Sequence, residues 1–407
     1  MRLLYEIGIY AIGFFYFLGS IFHPKAKKWI RGRRNWRVSF SKLPKNSIWF
    51  HCASLGEFDQ ALPVIREIKR RNPKEVILVS FFSPSGMDNY QKREHLVDFT
   101  CYLPLDTHKN AHDFINLVNP KLAIFIKYEF WPNIITACSK NKIPILSVCS
   151  VFRKTQIFFR WYGKFFLSQL RKIDLFLVQN DKSRELLLHY GINNNLVCGD
   201  TRYDNVIYNK GIRKEDQKLS TFTDNAFVII VGSSWKEEED IIFQFLKSNE
   251  SFKIIIAPHN IGESNVLRIL KSCDENAVRY TEFNKFTKQR ILILDTIGHL
   301  TNAYNYAQVA FIGGGFSGKL HNILEPAVYG LPVLFGPEVH KFPEAELFIS
   351  KGIAFKIENI IEFGQRINLL QQHGDFSDQI KEVFNSNSNV SKKIIDQLIA
   401  KKFLSID

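Results

Sequence analysis

Charged side chains that could transfer a proton or stabilise an anion follow the ends of short apolar runs in this chain of 407 residues. Glu57 comes after the apolar run 47–52 and the turn 53–56, at the start of a predicted helix. A carboxylate there could simply stabilise the helix, because a helix N-terminus favours negative charge. If it faces a substrate, it could instead take the proton of an attacking hydroxyl. The residues alone leave both interpretations open.

Three more charged residues occupy similar places. Lys127 and Glu129 flank the end of the apolar run 122–126, and an ion pair between them is the simplest interpretation. Arg202 lies in the turn 199–204, where an ordinary surface arginine would be expected. Near a phosphate leaving group, however, an arginine would stabilise the negative charge that develops.

The stretch 313–337 combines glycines with polar residues. The pattern predicts a strand ending at Ile312, a turn at Gly313–Gly315, a helix that begins near Asn322 and ends at Pro332, and a strand over 333–335. Glycines allow the backbone to approach a ligand closely, and a helix start can bind an anion. Glu325 could accept hydrogen bonds from sugar hydroxyls. The alternative is a tight packing turn with a solvated Glu325.

Several familiar sites are absent from the sequence. His259 and His321 could bind phosphate or ribose, although lone histidines are more often structural, and no HExxH or other metal spacing occurs. No GxxxxGK[ST] loop is present, and the first half has no GxGxxG followed by a well-placed acid. We therefore expect neither a metal nor a cofactor. The six cysteines form no CxxC pair and lie mostly in apolar runs, so we expect them to be reduced and buried.

Short strands alternate with helices throughout, which predicts an α/β protein with two Rossmann-like, doubly wound parallel sheets. The predicted divisions are an anchor with basic residues, a first domain, a polar linker, a second domain and a helical tail, over 1–37, 38–208, 209–225, 226–385 and 386–407. Ligands of such sheets bind beyond the carboxyl ends of the strands. The charged and polar residues named above follow the ends of predicted strands, and so do Ser233 and Ser234. We therefore expect these residues to line opposite walls of a central cleft.

The N-terminal residues 3–22 are mostly apolar, with Glu6 as the one charge, and are long enough to cross a membrane as a helix. A basic cluster follows: Lys25, Lys27, Lys28, Arg31, Arg33, Arg34 and Arg37. With the net charge of +14, this predicts an anchor whose basic residues contact anionic lipid on the cytoplasmic side. The anchor could span the membrane or lie on it, and the alternative is an amphipathic helix packed on the protein itself.

Five segments together resemble the 3-deoxy-D-manno-octulosonic acid (Kdo) transferases of lipopolysaccharide synthesis. They occur in the order and spacing of that family and are His51–Glu57, Tyr128–Asn133, Gly199–Asp204, Gly232–Glu239, and His321–Pro326 with Gly336-Pro337. The N-terminal apolar segment with its basic residues also matches. The resemblance implies the two-domain GT-B glycosyltransferase fold with an N-terminal membrane-associated helix.

The resemblance also implies a reaction. Glu57 would act as general base on a hydroxyl of a lipid A precursor, which attacks CMP-Kdo so that CMP leaves and the configuration inverts. Arg202, Glu129 and Lys127 would assist catalysis. The substrate- and CMP-binding set would be Pro258, His259, Ile297, Gly298, His299, His321, Asn322 and Glu325, beside Ser233 and Ser234.

The sequence departs from the family pattern at five places. Lys127 replaces a usual Glu, Arg202 a usual Lys and His299 a usual Glu, while Lys319-Leu320 replace two glycines and Ile323 a proline. Arg for Lys keeps the charge but changes its geometry. The charge reversal at Lys127 puts a catalytic role there in doubt and gives Glu129 more weight.

Two other functions remain possible from the sequence. One is another GT-B enzyme, a nucleotide-sugar transferase or epimerase. The other is a non-enzymatic basic protein that binds membranes or nucleic acid, but the basic residues cluster after the anchor and match no RNA-binding motif. We expect an inner-membrane enzyme without a nucleic-acid partner, and the sequence leaves its oligomeric state open.

Overall fold

The computed structural model describes residues 1–224, 226–273, 275–373 and 375–405. Asn225, which ends the predicted linker, lies outside the described residues, as do positions 274 and 374 of the predicted second domain and the last two residues of the predicted tail. The chain forms two units. The first contains Met1–Asn205 and Asn387–Asp407, and the second contains Val206–Ser386.

The first unit is built on one parallel sheet. Its strands are β1 (Ile48–Cys52), β2 (Ile77–Phe81), β3 (Phe99–Tyr102), β4 (Leu122–Ile126), β5 (Ile145–Ser150), β6 (Leu175–Val178) and β7 (Asn195–Val197). Its helices are α1 (Arg2–Phe22), α2 (Pro24–Gly32), α3 (Trp36–Phe40), α4 (Leu55–Arg71), α5 (Pro84–Asn89), α6 (His108–Val118), α7 (Pro132–Lys140), α8 (Lys164–Leu170) and α9 (Asp181–His189). Helix α10 (Arg202–Gly211) begins in this unit and ends in the second.

The second unit repeats this plan. Its strands are β8 (Val228–Ser234), β9 (Lys253–Pro258), β10 (Ala277–Arg279), β11 (Ile291–Ile293), β12 (Val309–Ile312), β13 (Val333–Phe335) and β14 (Ala354–Lys356). Its helices are α11 (Gln217–Thr223), α12 (Lys236–Leu246), α13 (Glu263–Ser272), α14 (Leu300–Ala303), α15 (Leu324–Ala327), α16 (Pro343–Ser350), α17 (Ile360–His373) and α18 (Ser377–Asn387). Helix α19 (Val390–Ala400) returns to the first unit and packs Val390 and Ile394 into the core beside α4.

The strand orders are β3-β2-β1-β4-β5-β6-β7 and β10-β11-β9-β8-β12-β13-β14. Every strand pair is parallel. All five residues of β1 and of β4 are buried, because helices cover both faces of the sheet. The prediction of two doubly wound parallel sheets is confirmed.

Two predicted stretches differ in the structure. The range 209–225, predicted to be a linker, contains the end of α10 and all of α11, whose first N–H groups are capped by the Asp216 side chain. The aromatic-rich sequence over 158–170 predicts one continuous helix, but the structure has a 3₁₀ turn at Ile157–Phe159 followed by α8. Gly163 separates the two, and a Cβ at that position would lie 1.8 Å from the carbonyl oxygen of Ile157.

Candidate functional site

Each sheet reverses its strand order at one point, between β1 and β4 in the first and between β8 and β12 in the second. Loops that leave neighbouring parallel strands at such a point run to opposite sides of the sheet and leave a crevice where ligands bind. Glu57 follows β1 and Lys127 follows β4, whereas Ser234 ends β8 and Gly313 follows β12. In each sheet, predicted site residues thus follow the two strands between which the strand order reverses, and we call this place the switch point.

Glu57 lies in the first turn of α4 and is 7% exposed. Its carboxylate accepts a hydrogen bond from the backbone N–H of Ala53. Burial and the negative charge of Glu129 raise the pKa of Glu57 to about 7, although the Ala53 N–H and Lys127 act in the opposite direction. A carboxyl group with this pKa can accept a proton near neutral pH.

Lys127 and Glu129 lie on a constrained segment after β4. Lys127 has a φ of 60°, which is uncommon for a residue with a side chain. Its carbonyl oxygen accepts hydrogen bonds from the hydroxyls of Ser147 (3.1 Å) and Ser150 (2.7 Å). Within the described residues, no ion pair joins the side chains of Lys127 and Glu129. Burial raises the pKa of Glu129, so both carboxyl groups here are harder to ionise than usual.

A buried polar network beneath this segment escaped the sequence analysis. His51 is fully buried, and its Nε2 accepts a hydrogen bond from Trp131 Nε1 at 3.1 Å. Its Nδ1 lies 2.9 Å from Ser80 Oγ, which also accepts from Trp49 Nε1. Burial lowers the pKa of His51 to about 3, so the ring is neutral and carries its proton on Nδ1. The network links β1 to Trp131, two residues after Glu129, and both ends lie in segments that the sequence analysis singled out.

Arg202 is held by Asp200. Arg202 Nε donates to Asp200 Oδ2 at 2.8 Å, and Gln60 Nε2 donates to Asp200 Oδ1 at 3.1 Å. Burial alone would raise the pKa of Asp200, but the charge and hydrogen bonds of Arg202 hold it below its usual value. Because Gln60 is on α4, one turn after Glu57, this pairing fastens the loop of Arg202 to the helix of Glu57.

Three aromatic side chains from different loops meet in the second unit. Trp235, after β8, stacks on His259, after β9, with ring centroids 4.5 Å apart. His259 and His321 lie 4.7 Å apart, and Trp235 Nε1 is 3.5 Å from His321 Nε2. Burial and the nearby His259 lower the pKa of His321 to about 4, so it is neutral at pH 7. Trp235 lies in the segment Gly232–Glu239, which resembles the family, but it was not predicted as a site residue.

Ser233 and Ser234 form the end of β8. Ser233 has a φ of 53°, and Ser234 Oγ donates to Glu239 Oε1 at 2.8 Å. Glu238 accepts from the backbone N–H groups of Trp235 (3.0 Å) and Gly314 (2.9 Å). Burial raises the pKa of Glu238 to about 7. These bonds tie the loop after β8 to the glycine turn after β12.

The glycine turn serves backbone packing. A Cβ on Gly313 would lie 2.1 Å from the carbonyl oxygen of Ser233, and one on Gly315 would lie 2.4 Å from the backbone nitrogen of Gly336. The glycines therefore let two loops approach each other, which agrees with the packing turn that the sequence analysis gave as the alternative to a ligand site.

The prediction of a helix from Asn322 to Pro332 is wrong. Helix α15 covers only Leu324–Ala327, and the chain leaves it through a turn at 328–330, where Gly330 has a φ of 92°. One turn of helix has a small dipole, so its N-terminus contributes little to anion binding.

The other predicted donor-site residues lie in the same set of loops. Asn322 Nδ2 donates to Glu325 Oε1 at 3.1 Å, and Thr301 Oγ1 lies 3.4 Å from Glu325 Oε2. Pro258 ends β9. Ile297 is 65% exposed, and Gly298 has a φ of 106°.

His299 is held by groups that the sequence analysis missed. Its Nδ1 lies 3.4 Å from Asp216 Oδ2, and its ring lies 4.4 Å from that of Tyr280, whose hydroxyl also donates to Asp216 at 2.9 Å. Asp216 falls in the polar stretch interpreted as a linker, and nothing in its sequence neighbourhood indicated this contact.

Helix α1 packs one face on the first unit. Tyr5 donates to Asp106 at 2.6 Å, Asn133 Nδ2 donates to Glu6 at 2.6 Å, and Ile9 is buried. The opposite face is exposed and apolar, with Leu3, Leu4, Ile7, Tyr10, Phe14, Phe15, Ile21 and Phe22 all at least 56% exposed. Helix α1 is long and apolar enough to cross a membrane by length and composition.

The basic cluster after α1 is partly used inside the protein. Arg33 donates to the carbonyl oxygens of Phe82 and Leu103, both at 2.8 Å, and its guanidinium stacks on Trp29. Arg37 pairs with Asp113 at 2.8 Å. The prediction that the whole cluster contacts lipid is therefore wrong for Arg33, whose burial lowers its pKa to about 9.

The cysteine prediction is confirmed, since all six are free and buried. Among the described residues, no group of three or more His, Cys, Asp or Glu side chains could hold a metal ion.

Comparison with known proteins assigns a family to this arrangement. Residues 30–205 match the family described as 3-deoxy-D-manno-octulosonic-acid transferase (kdotransferase). A protein of that name from Aquifex aeolicus is 27% identical over 332 residues, which cover 80% of this chain and 86% of the relative. These matches support the Kdo transferase family that the sequence motifs indicated. The chain is a glycosyltransferase.

Other members and neighbours of the Kdo transferase family add context. A bifunctional glycosyltransferase/methyltransferase from Fusobacterium nucleatum is 26% identical over 402 residues, which cover 92% of this chain but 61% of that longer protein. The crystal structure of a UDP-GlcNAc 2-epimerase from Neisseria meningitidis superposes with a TM-score of 0.63 at 14% identity and covers 87% of this chain and 100% of the epimerase. At that identity the likeness shows the fold alone, and it confirms the predicted GT-B class.

Proposed function

We propose that this chain transfers Kdo from CMP-Kdo to a hydroxyl of a lipid A precursor, with inversion at the anomeric carbon. Glu57 takes the proton of the attacking hydroxyl, whose oxygen forms the new bond to the anomeric carbon. The bond from that carbon to the CMP phosphate oxygen breaks, and CMP leaves with the electron pair. The observation that carries the proposal is Glu57 itself, a buried carboxyl with a pKa of about 7 at the switch point of the first sheet.

The surroundings of Glu57 support this role. The Ala53 N–H orients its carboxylate, while Glu129 and Lys127 adjust its basicity in opposite directions. Arg202, fixed by Asp200, supplies a positive charge for the anionic donor. The departure at Lys127 from the family pattern thus leaves a cation that makes Glu57 easier to ionise.

In this proposal the second unit binds the donor. Trp235, His259 and His321 provide a stacked aromatic surface, and partial desolvation of the two imidazole rings lowers the pKa of both histidines. A neutral imidazole can donate a hydrogen bond to a phosphate oxygen and can donate to or accept from a sugar hydroxyl. Asn322, Glu325 and the loop 297–299 complete the donor set.

In this proposal helix α1 holds the enzyme at the cytoplasmic face of the inner membrane. Two polar side chains, Tyr5 and Glu6, are bonded to the first unit on one face, while the other face offers apolar side chains over the whole helix. A helix with this division buries its apolar face in the membrane surface and keeps its polar face on the protein. This arrangement favours lying on the membrane over crossing it, and it puts the acceptor lipid within the same surface.

The product of the purified chain tests this function. After incubation with CMP-Kdo and a tetraacyl lipid A precursor, we expect mass spectrometry to show acceptor carrying one or more Kdo residues, with release of CMP. If the acceptor stays unmodified and UDP is released from a UDP-sugar instead, the other candidate, a different GT-B transferase or epimerase, replaces the proposal.

A further inference from the structure

A segment of the first unit far from Glu57 in sequence displays aromatic side chains to solvent. We call residues 153–164 the aromatic segment. Trp161 is 87% exposed, Tyr162 is 47% exposed and Ile157 is 40% exposed, and the rings of Trp161 and Tyr162 lie 5.3 Å apart. Single exposed apolar residues are normal on a protein surface, but three in one short segment indicate a contact site.

The aromatic segment is strongly basic. It contains Arg153, Lys154, Arg160 and Lys164, all exposed, and the chain has no acidic residue between Glu129 and Asp174. Exposed aromatic rings beside cations suit the boundary of an anionic membrane, where indole and phenol rings lie at the head-group level and cations contact phosphates.

The surrounding structure holds the side chain of Trp161 in its exposed position. Phe158 and Phe159, within the 3₁₀ turn, are buried in the core, where the rings of Phe159 and Phe152 lie 5.8 Å apart. The Gly163 N–H donates to the carbonyl oxygen of Arg160 at 2.8 Å, which closes a tight turn with Trp161 and Tyr162 at its tip. The two rings are thus held outward by a turn whose base is anchored in the core.

The aromatic segment also adjoins helix α1. The ring of Tyr5 lies 5.8 Å from that of Phe165 and 6.0 Å from that of Phe166, directly after the segment. These contacts put the segment next to the first turns of the proposed anchor.

We propose that the aromatic segment is a second membrane contact, which inserts Trp161 and Tyr162 into the head-group region of anionic lipid bilayers. This inference rests on the proposed function in one respect, the placement of α1 on a membrane. Two contacts would fix the rotation of the first unit about α1, which a single helix lying on the surface cannot do. The first unit, which carries Glu57, would then meet the lipid in one orientation.

Vesicle binding of the full chain tests the inference. The probes are vesicles of phosphatidylglycerol with phosphatidylethanolamine, and vesicles of phosphatidylcholine as the uncharged comparison. We expect Trp161→Ala to weaken binding to the anionic vesicles about tenfold, which corresponds to about 1.4 kcal/mol, because the apolar area of the ring is no longer buried in lipid. The matched control is Phe286→Ala in the second unit, where a ring 79% exposed also has a lysine nitrogen 5.1 Å from its centroid.

Fluorescence provides an independent readout. Brominated lipids should quench part of the tryptophan emission of the wild type, and Trp161→Phe should lose that quenching while keeping most of the binding. Equal binding by wild type and Trp161→Ala, an equal loss in Phe286→Ala, or self-association that Trp161→Ala abolishes would each overturn the inference.

The test of the second membrane contact can be distinguished from the test of the proposed function. Kdo transfer to an acceptor dispersed in detergent should be the same in Trp161→Ala and wild type, because Trp161 is not in the proposed catalytic set. Absence of transfer in both proteins would refute the proposed function and leave the vesicle result standing.

Discussion

At the scale of single residues, the basicity of Glu57 depends on two charged neighbours at the same end of the first sheet, Glu129 and Lys127. Glu57 is buried, Glu129 raises its pKa and Lys127 lowers it. A general base acts only when it is ionised, so transfer should fall as the pH drops through about 7. Ionising a buried carboxyl is unfavourable, so the same group should make the folded protein less stable as the pH rises above the ordinary pKa of 4.5 towards 7.

Two substitutions should shift the pH at which transfer falls, and they should shift it in opposite directions. Glu129→Gln removes a negative charge and should shift the fall in kcat/KM to lower pH. Lys127→Met removes a positive charge and should shift it to higher pH. The measurement is the pH dependence of kcat/KM for both variants and the wild type in one buffer series. Shifts in the same direction, or none, would show that Glu57 is not the group that titrates.

At the scale of elements, the loops after β8 and β12 are joined through the glycine turn. The Gly314 N–H donates to Glu238, and Gly313 lies against the carbonyl oxygen of Ser233. The position of Ser233 and Ser234 thus depends on a contact that only a glycine permits. The whole donor set is built on loops of this kind, so its geometry is sensitive to small backbone movements.

Gly313→Ala should disturb this contact, because its Cβ would lie 2.1 Å from a backbone oxygen. We expect the second unit to lose more than about 1 kcal/mol of stability and CMP-Kdo binding to weaken. Thermal unfolding and calorimetric titration measure the two effects. Gly364→Ala on α17, where the nearest atom would be 3.9 Å away, is the control and should leave both unchanged or slightly improved. If the two variants behave alike, close backbone packing is not the reason for Gly313.

The sequence predicted elements best where burial dictated them. The apolar runs of β4, β12 and β13 were predicted with their observed bounds, because central parallel strands are buried on both faces. The strands β10 and β14 were missed, since each has only three residues and lies at a sheet edge. The helix expected after Asn322 was too long because a turn at 328–330, with a φ of 92° at Gly330, ends it before Pro332.

The site was predictable to the extent that its residues follow strands. Glu57, Lys127 and His259 could be located from the ends of apolar runs. His51 and Asp216 could not, because their roles depend on partners distant in sequence, Trp131 and His299. Contacts of that kind are set by the packing of the sheet and leave no pattern along the chain.

At the scale of the whole molecule, the two units carry different parts of the proposed reaction. The first holds Glu57, Glu129 and Arg202 and presents the apolar face of α1. The second holds the stacked Trp235, His259 and His321 with Asn322 and Glu325. If this division is correct, removing the base should stop transfer and leave donor binding intact, because the groups that bind the donor belong to the other unit.

The most direct test of this account is Glu57→Gln, assayed for Kdo transfer to the lipid A precursor and, separately, for CMP-Kdo binding by calorimetry. Loss of a general base typically costs on the order of 10²- to 10⁴-fold in rate, so we expect kcat to fall by that factor at pH 8 while the donor Kd stays within about twofold. A variant that transfers Kdo at nearly the wild-type rate would contradict the assignment of Glu57 as the base.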